Sequence, residues 1–254
     1  MDKALERIML KAGQLMTDWQ QPKVYEKGRH ADYVTEADFA VQTFLMEELA
    51  KVWPEAKFYA EEKKDNRLTD EMTFIIDPID GTTNYVRRRS CSMISVGAVQ
   101  GREAIFGAIL DPYKGLLYHA EKGRGAFCGD ERLHVADVPF EQAIIGLGTS
   151  PYDTELVSLT ARSLGALLAS CGDIRRTGSA AMELCDIAAG RSDGTFEWIL
   201  QPWDYCAGSL LVSEAGGRCG NILGGGVTFD QAIPLMAASD RVYDALQAVL
   251  VQLR

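Results

Sequence analysis

Two aspartates, three residues apart, directly follow an apolar run of the chain. The run Phe74-Ile75-Ile76 leads into Asp77-Pro78-Ile79-Asp80-Gly81-Thr82-Thr83. A buried strand loses its next backbone donor at a proline, so we expect the strand to end at Asp77 and the chain to turn. The turn would place both carboxylates at the carboxyl end of a strand, where ligands gather in open α/β sheets. Such a cluster suits Mg²⁺, and helix-start amides beside Gly81 suit phosphate.

Two other acidic segments have the same character. Glu61 and Glu62 follow Tyr59-Ala60, and Asp204 follows Pro202-Trp203, which has the pattern of a helix entry. Each segment alone is also compatible with a simpler structural role: a solvated loop, a charge that complements a helix dipole, or an Asx turn. Together they supply the carboxylates that a site with two or three metal ions requires.

These segments resemble the motifs of the inositol monophosphatase family of Mg²⁺-dependent, lithium-sensitive sugar phosphatases. The central motif runs from Asp77 through Thr83 to Asn84 and Tyr85, and the second from Trp203 through Gly208 to Glu214-Ala215-Gly216-Gly217. The resemblance covers essentially the whole chain. It implies an α/β (α+β) fold, the layered α/β/α/β/α sandwich of these phosphatases, and a phosphoric monoester hydrolase that forms a homodimer.

The resemblance implies a metal ligand at each matching position. Glu61, Asp77 and the backbone carbonyl of Ile79 would bind the first ion. Asp77, Asp80 and Asp204 would bind the second, and a weaker third site would again use Glu61. The implied cofactor is therefore Mg²⁺, with two or three ions per site.

The segment from Lys27 to Asp38 also resembles the family, which has a mobile loop carrying a lysine and then a Val-Thr-x-x-Asp helix start. Thr35 fits a helix N-cap with Asp38 at N3, a structural role that is sufficient by itself. The resemblance gives Asp38 a further role as partner of the Thr82 hydroxyl. The implied catalytic residues are thus Glu61, Thr82 and Asp38, acting on a metal-activated water that attacks phosphorus directly.

Substrate contacts are implied as well. Gly178-Ser179-Ala180-Ala181 precedes an apolar helical run, and the corresponding backbone of the family faces the substrate hydroxyls. Glu197 lies seven residues before Asp204, as does a family glutamate that binds the polyol ring; an ordinary strand-end charge is the alternative. The implied substrate-binding residues are Asp80, Gly81, Thr82, Ser179, Ala180, Glu197 and Asp204.

Inositol monophosphate or a similar small polyol phosphate is the substrate that the resemblance favours. Fructose 1,6-bisphosphate, histidinol phosphate and adenosine 3′,5′-bisphosphate are alternatives within the family. Arg87-Arg88-Arg89, which replaces a frequent family pattern, would either bind a second phosphate or form a solvated or dimer-facing surface. A mainly regulatory binding protein is an alternative of another class, because some bacterial members are associated with the transcription machinery. The intact carboxylate set favours the enzyme.

The elements that must position these residues follow from periodicity and turn signals. Helices are predicted near 2–19 and 36–52, and strands near 73–77, 92–99, 103–111, 115–120 and 132–136, which suggests an antiparallel sheet. Strands near 143–148, 173–176 and 193–197 then alternate with helices near 153–170, 180–190, 204–216 and 240–252. The sequence therefore predicts an N-terminal α+β half with the metal-binding loops (1–140) and a C-terminal α/β half (141–254), joined in one compact unit.

Composition favours a cytoplasmic enzyme. The 254 residues are 47% hydrophobic, enough for one substantial core. The sequence contains no run of 18 apolar residues, so no membrane span is predicted, and no signal peptide is predicted either. The net charge of −10 argues against general nucleic-acid binding. The six cysteines form no Cys-x-x-Cys pair and predict reduced thiols, and the scattered His30, His119 and His134 are assigned no role.

Overall fold

The structure is a computed structural model that describes residues 2–19, 21–28, 32–151 and 153–254. Its helices are α1 (Lys3–Asp18), α2 (Glu36–Val52), α3 (Thr82–Val86), α4 (Val157–Leu168), α5 (Ala180–Ala188), α6 (Pro202–Glu214) and α7 (Asp240–Val251). Short 3₁₀ turns cover Phe140–Gln142 and Thr154–Leu156. His30, which has no predicted role, lies outside the described residues.

The described strands form a hairpin and two larger sheets. The hairpin pairs β1 (Val24–Glu26) with β2 (Tyr33–Thr35). The seven-stranded sheet contains, in spatial order, β3 (Lys57–Ala60), β4 (Thr73–Asp80), β5 (Met93–Gln100), β6 (Glu103–Asp111), β7 (Leu116–Glu121), β8 (Gly125–Cys128) and β9 (Glu131–Arg132). The five-stranded sheet is formed by β10 (Ile144–Leu147), β11 (Asp173–Arg175), β12 (Gly194–Leu200), β13 (Gly217–Asn221) and β14 (Ile233–Ser239), in the order β11-β10-β12-β14-β13.

The elements stack in five layers. Helices α1 and α2 cover one face of the seven-stranded sheet, and α5 and α6 lie between the two sheets. Helices α4 and α7 cover the outer face of the five-stranded sheet. This α/β/α/β/α order confirms the predicted fold class, and β4 to β9 pair antiparallel as predicted. The division near residue 140 stays a prediction.

Close packing brings α6 directly against the seven-stranded sheet. A β carbon at Gly107 of β6 would lie 2.7 Å from the carbonyl oxygen of Ala207, and one at Gly97 of β5 would lie 2.5 Å from the sulfur of Cys206. Neither strand position therefore has room for a side chain. The absence of a side chain at both positions lets the helix backbone lie almost on the sheet.

Two predicted strands have the wrong bounds. Strand β4 does not end at Asp77 but continues to Asp80, and its register against β5 shifts between these two residues. This irregularity accommodates Pro78, which has no N–H to donate. The predicted strand at 132–136 is wrong, because the chain leaves the sheet after β9 and the Val135 amide donates to the carbonyl of Ala215 at 3.1 Å.

None of the helices in the described residues is both long and apolar enough to cross a lipid bilayer. All six cysteines are unpaired; Cys185 and Cys206 are buried and the other four are partly exposed. The predicted reduced thiols are therefore consistent with the structure, although only two of them lie fully in the core.

Candidate metal and phosphate site

A cleft of about 420 Å³ opens where the end of β4 meets the beginnings of α5 and α6. It is lined by all but one of the predicted site residues: Glu61, Asp77, Ile79, Asp80, Gly81, Thr82, Ser179, Ala180, Glu197 and Asp204. The exception is Asp38, which lies behind Thr82 and contacts its hydroxyl. Residues from both sheets thus meet in one cleft.

Three aspartates form the acidic centre of this cleft. Asp77, Asp80 and Asp204 each offer a carboxylate oxygen, and these oxygens lie within 4.8 Å of one another. Asp77 also accepts from the Ile79 amide at 3.0 Å, so the Asx-type bond considered as the simpler alternative is present within the cluster. The Asx turn and the aspartate cluster are therefore not exclusive alternatives, because Asp77 takes part in both.

Asp204 is held at the start of α6. The Gln201 amide donates to its carboxylate at 2.7 Å. The predicted helix entry at Pro202-Trp203 is present, so the helix begins at Pro202 and not near 204 as its predicted range had it. An acidic side chain at N3 is favoured there by the helix dipole. The capping position of Asp204 at the start of α6 thus also places its carboxylate in the cleft.

Asp80 is bound by the opposite wall. Ser179 Oγ donates to its Oδ2 at 2.5 Å, and the Ala181 amide donates to the same oxygen at 2.7 Å. Ser179 also caps α5 by accepting from the Met182 amide at 3.2 Å. In this structure Ser179 therefore orients a carboxylate of the acidic centre.

The aspartate cluster is electrostatically unfavourable without a cation. Burial raises the pKa of Asp77 well above its usual value, and the charges of Glu61, Asp80 and Asp204 raise it further. Burial and the charge of Asp80 do the same for Asp204. Hard carboxylate oxygens in this density fit a divalent cation such as Mg²⁺, which would remove the repulsion.

Glu61 lies beside the cluster and carries an ion pair. Lys27 Nζ is 2.7 Å from Glu61 Oε1 and 2.5 Å from Glu62 Oε1. Burial opposes the charged form of Lys27, but the two carboxylates outweigh it and raise its pKa. Neither glutamate is thus simply solvated, and the ligand role of Glu61 stays a prediction.

The Thr82 hydroxyl has two acceptors. It lies 3.1 Å from the carbonyl oxygen of Ile79 and 3.4 Å from Asp38 Oδ1. The other oxygen of Asp38 closes the predicted capping box with Thr35, whose amide and hydroxyl donate at 2.8 and 2.5 Å. Burial raises the pKa of Asp38 to about 6, although the Thr35 hydroxyl lowers it. Asp38 is therefore both a cap and a partner of Thr82.

Glu197 faces the cleft from β12. Its Oε1 accepts from the amide of Ser150 at 2.9 Å and from its hydroxyl at 2.5 Å. Ser150 has a φ of +33°, an uncommon value outside glycine, so the backbone is strained where it meets this glutamate. Glu197 is thus a built part of the cleft and not a freely solvated strand-end charge.

Some cleft residues had no predicted role. Ser150, Arg176 and Glu183 line the cleft, and Asn84 was noticed only as part of the central motif. The partner of Ser150 lies 47 residues away, so no local pattern reveals the contact. Among the described residues, the cleft lining does not include Arg87–Arg89, which are exposed; this favours a surface role for them over binding a second phosphate.

Fold and cleft together define the class: a five-layered α/β protein with an aspartate cluster between two sheets. The sequence model of the inositol monophosphatase family matches residues 1–253. Inositol-1-monophosphatase of Rhizobium meliloti is 36% identical over 222 residues, covering 87% of this chain and 83% of the relative. Nus factor SuhB of Escherichia coli K12 is 34% identical over 229 residues, covering 86% and 84%.

The crystal structure of the extragenic suppressor protein suhB from Bartonella henselae has a similar fold. Its TM-score is 0.88 at 33% identity, covering 97% of this chain and 96% of the other. This chain therefore belongs to the inositol monophosphatase family. The two relatives named above carry the names of two kinds of protein, an inositol-1-monophosphatase and a Nus factor.

Mg²⁺ is expected to stabilise the fold. At about 100 times its dissociation constant, a ligand that binds only the native state adds about 2.7 kcal/mol. For a domain of this size that raises Tm by about 5–10 °C. The measurement is thermal unfolding with MgCl₂ against NaCl of equal ionic strength. An equal Tm in both salts would contradict a metal site.

The same experiment has an expected pH dependence. Burial raises the pKa of Asp80 from 3.8 to about 7, and that of Glu62 from 4.5 to about 7. A carboxyl group whose pKa is higher in the native state than in the unfolded chain stabilises the native state fully at a pH below the unfolded-state pKa. This stabilisation is lost as pH rises through the native-state pKa. The metal-free protein should therefore lose stability as pH rises toward about 7, and the Mg²⁺ effect should grow over the same interval.

Proposed function

We propose that this protein is a Mg²⁺-dependent phosphomonoesterase that hydrolyses inositol monophosphate or a similar small polyol phosphate. The observation that carries the proposal is the cluster of Asp77, Asp80 and Asp204 in a cleft that Thr82 also lines. Asp77, Asp80 and Asp204, with Glu61 and the Ile79 carbonyl, would hold two or three Mg²⁺ ions. Family membership supports the same reaction class.

The metal supplies the charge that the reaction needs. When bound, Mg²⁺ neutralises phosphate oxygens and lowers the pKa of water. The chain's own residues orient the nucleophile. With the Ile79 carbonyl, the nearer acceptor at 3.1 Å, engaged by a metal ion, the Thr82 hydroxyl would donate its proton to Asp38 at 3.4 Å. Its oxygen lone pairs could then accept from an attacking water. Glu61, beside Asp77, is a second group that can take a proton.

The opposite wall receives the alcohol. Ser179 and Ala180 present the beginning of α5 to the cleft, and Glu197 is fixed through one oxygen by Ser150. Among the described residues, no hydrogen bond reaches the second oxygen of Glu197, so it can accept from a substrate hydroxyl. A hydroxyl-rich leaving group fits this wall, which supports a polyol phosphate.

Several finer properties belong to the same proposal. Lithium inhibition and a homodimer follow from the family resemblance, and a cytoplasmic location agrees with the unpaired cysteines. A mainly regulatory role is the competing proposal, favoured by the relatives named Nus factor SuhB. The intact aspartate cluster supports the enzyme, because a chain kept only for binding other macromolecules does not require it.

Phosphate release from a small substrate panel tests the proposal. Inositol 1-phosphate, fructose 1,6-bisphosphate, histidinol phosphate, adenosine 3′,5′-bisphosphate and 2′-AMP are assayed with Mg²⁺, with EDTA, and with Mg²⁺ plus LiCl. We expect Mg²⁺-dependent release, inhibited by lithium, and kcat/KM about tenfold higher for inositol 1-phosphate, a difference of about 1.4 kcal/mol. No release from any ester by folded, Mg²⁺-binding protein would favour the regulatory alternative.

A further inference from the structure

Asn84 is a polar residue of the cleft that the proposed chemistry does not use. It lies in the five-residue helix α3 and is 7% exposed. Its side-chain amide nitrogen lies 2.7 Å from the Cys91 carbonyl oxygen, 2.9 Å from that of Thr177 and 3.3 Å from that of Gly178. Two hydrogens are thus offered to three acceptors. A buried amide with this many backbone partners is a fixed structural connection.

The three carbonyls belong to opposite walls of the cleft. Cys91 precedes β5 of the seven-stranded sheet, whereas Thr177 and Gly178 precede α5. Asn84 and Gly178 are 94 residues apart in the chain. The side chain therefore joins the loop after β4 directly to the wall that faces the proposed substrate alcohol.

The segment 177–181 is also held by Asp80. Asn84 donates to carbonyls at the beginning of this segment, and Asp80 accepts from Ser179 Oγ and the Ala181 amide at its end. Asp80 at the end of β4 and Asn84 in α3, four positions apart, thus bind the same segment, one as an acceptor and the other as a donor. The Asp80 carboxylate and the Asn84 amide therefore share one binding partner, segment 177–181.

Backbone contact leaves little freedom between the loops. Gly81 has a φ of +83°, and a β carbon there would lie 3.0 Å from the Gly178 carbonyl oxygen. The two loops can approach this closely only because Gly81 has no side chain. The hydrogen bonds of Asn84 therefore lie beside a close backbone contact, that of Gly81 with Gly178, which leaves little room for movement.

We propose that Asn84 is a positioning residue of the phosphatase site. It holds segment 177–181 against Asp80, so the substrate wall and one metal-binding carboxylate keep a fixed spacing. Asn84 acts through Asp80 and this segment and not on the reacting atoms. The inference rests on the proposed function, because the spacing matters to catalysis only if the cleft hydrolyses a phosphate ester.

Asn84→Asp is the sharpest variant, since it keeps the size of the side chain and turns a donor into an acceptor facing three carbonyls. We expect kcat/KM to fall by about 10²-fold, the scale of a 1 Å misplacement. The half-saturating Mg²⁺ concentration should rise as well. Asn84→Ala, which removes the donor without adding charge, should cause a smaller loss in the same direction.

Ser163→Ala is the matched control for lost stability. Trp198 Nε1 donates to Ser163 Oγ at 3.1 Å in the layer outside the five-stranded sheet, and neither residue lines the cleft. This variant should lower Tm but leave KM and the Mg²⁺ requirement unchanged. Equal losses of kcat/KM in Asn84→Asp and in Ser163→Ala would overturn the positioning role.

Hydrogen exchange provides a readout that does not depend on activity. In both Asn84 variants, the peptide containing residues 177–183 should exchange faster while peptides of the outer layers keep their rates. Combined with Ser179→Ala, the effects should be less than additive, because both residues hold one segment. If the variants exchange faster at this peptide but the wild-type protein hydrolyses no ester, the proposed function is rejected and the structural connection through Asn84 is retained. Unchanged exchange and kcat/KM, or failure of both variants to fold, would overturn the proposal.

Discussion

Asp80→Asn is expected to abolish turnover while the protein remains folded. The substitution preserves the shape of the side chain but removes one negative charge from a cluster whose oxygens lie within 4.8 Å. Losing several kcal/mol of metal-based charge stabilisation lowers kcat by about 10³-fold or more. The measurement is kcat with inositol 1-phosphate over a Mg²⁺ titration, together with Tm.

Asp111→Asn is the matched control for this variant. Asp111 is also a buried aspartate at the end of a strand, and it accepts from the amides of Tyr113 and Lys114 at 3.0 and 3.1 Å. It does not line the cleft. We expect it to lose stability and keep the Mg²⁺-dependent activity. A fully active Asp80→Asn protein that saturates with Mg²⁺ as the wild type does would refute the assignment of Asp80.

Thr82→Ala is expected to reduce kcat by about 10²-fold with little change in KM. Its hydroxyl lies between Asp38 and the Ile79 carbonyl, where it can orient a nucleophile but makes no predicted metal bond. Removing a group that acts in proton transfer costs about 10²–10⁴ in rate. A loss confined to the chemical step appears in kcat, whereas lost substrate binding appears in KM.

Thr82→Ser tests whether the hydroxyl or the packing of the methyl group matters. Serine retains the donor to Asp38, so most of the activity should return. Steady-state kinetics of both variants at saturating Mg²⁺ provides the comparison. If the alanine variant raised KM and left kcat intact, Thr82 would be a binding residue with no part in orienting water.

Local chemistry made much of the site predictable from the sequence. Thr35 and Asp38 form the expected capping box, and Pro202 with Asp204 begins α6. Both are short-range patterns, because the partners lie within one helical turn. The central motif likewise combines a proline, a left-handed glycine and two carboxylates whose geometry is set by neighbouring residues.

Features that depend on distant pairing were missed. Strands β13 and β14 contain glycines and Pro234, which weaken a strand pattern, yet both pair in the five-stranded sheet. The contact of Ser150 with Glu197 spans 47 residues, and that of Asn84 with Thr177 spans 93. No local preference encodes such contacts, since they form only when segments that are distant in the chain pair within the five-stranded sheet or, for Asn84, pack between the two halves.

The two glycines that face α6, Gly97 of β5 and Gly107 of β6, have a consequence for the cleft. Helix α6 carries Asp204 at its start, and Gly107 contacts the backbone of the same helix at Ala207. Asp77 and Asp80 instead belong to β4, in the sheet on which that helix rests. Because Gly107 carries only a hydrogen where it meets α6, the helix lies close to the sheet, and this close packing helps to hold Asp204 near the two aspartates of β4. Gly97 and Gly107 carry no functional group, yet they too limit which sequence changes this site can tolerate.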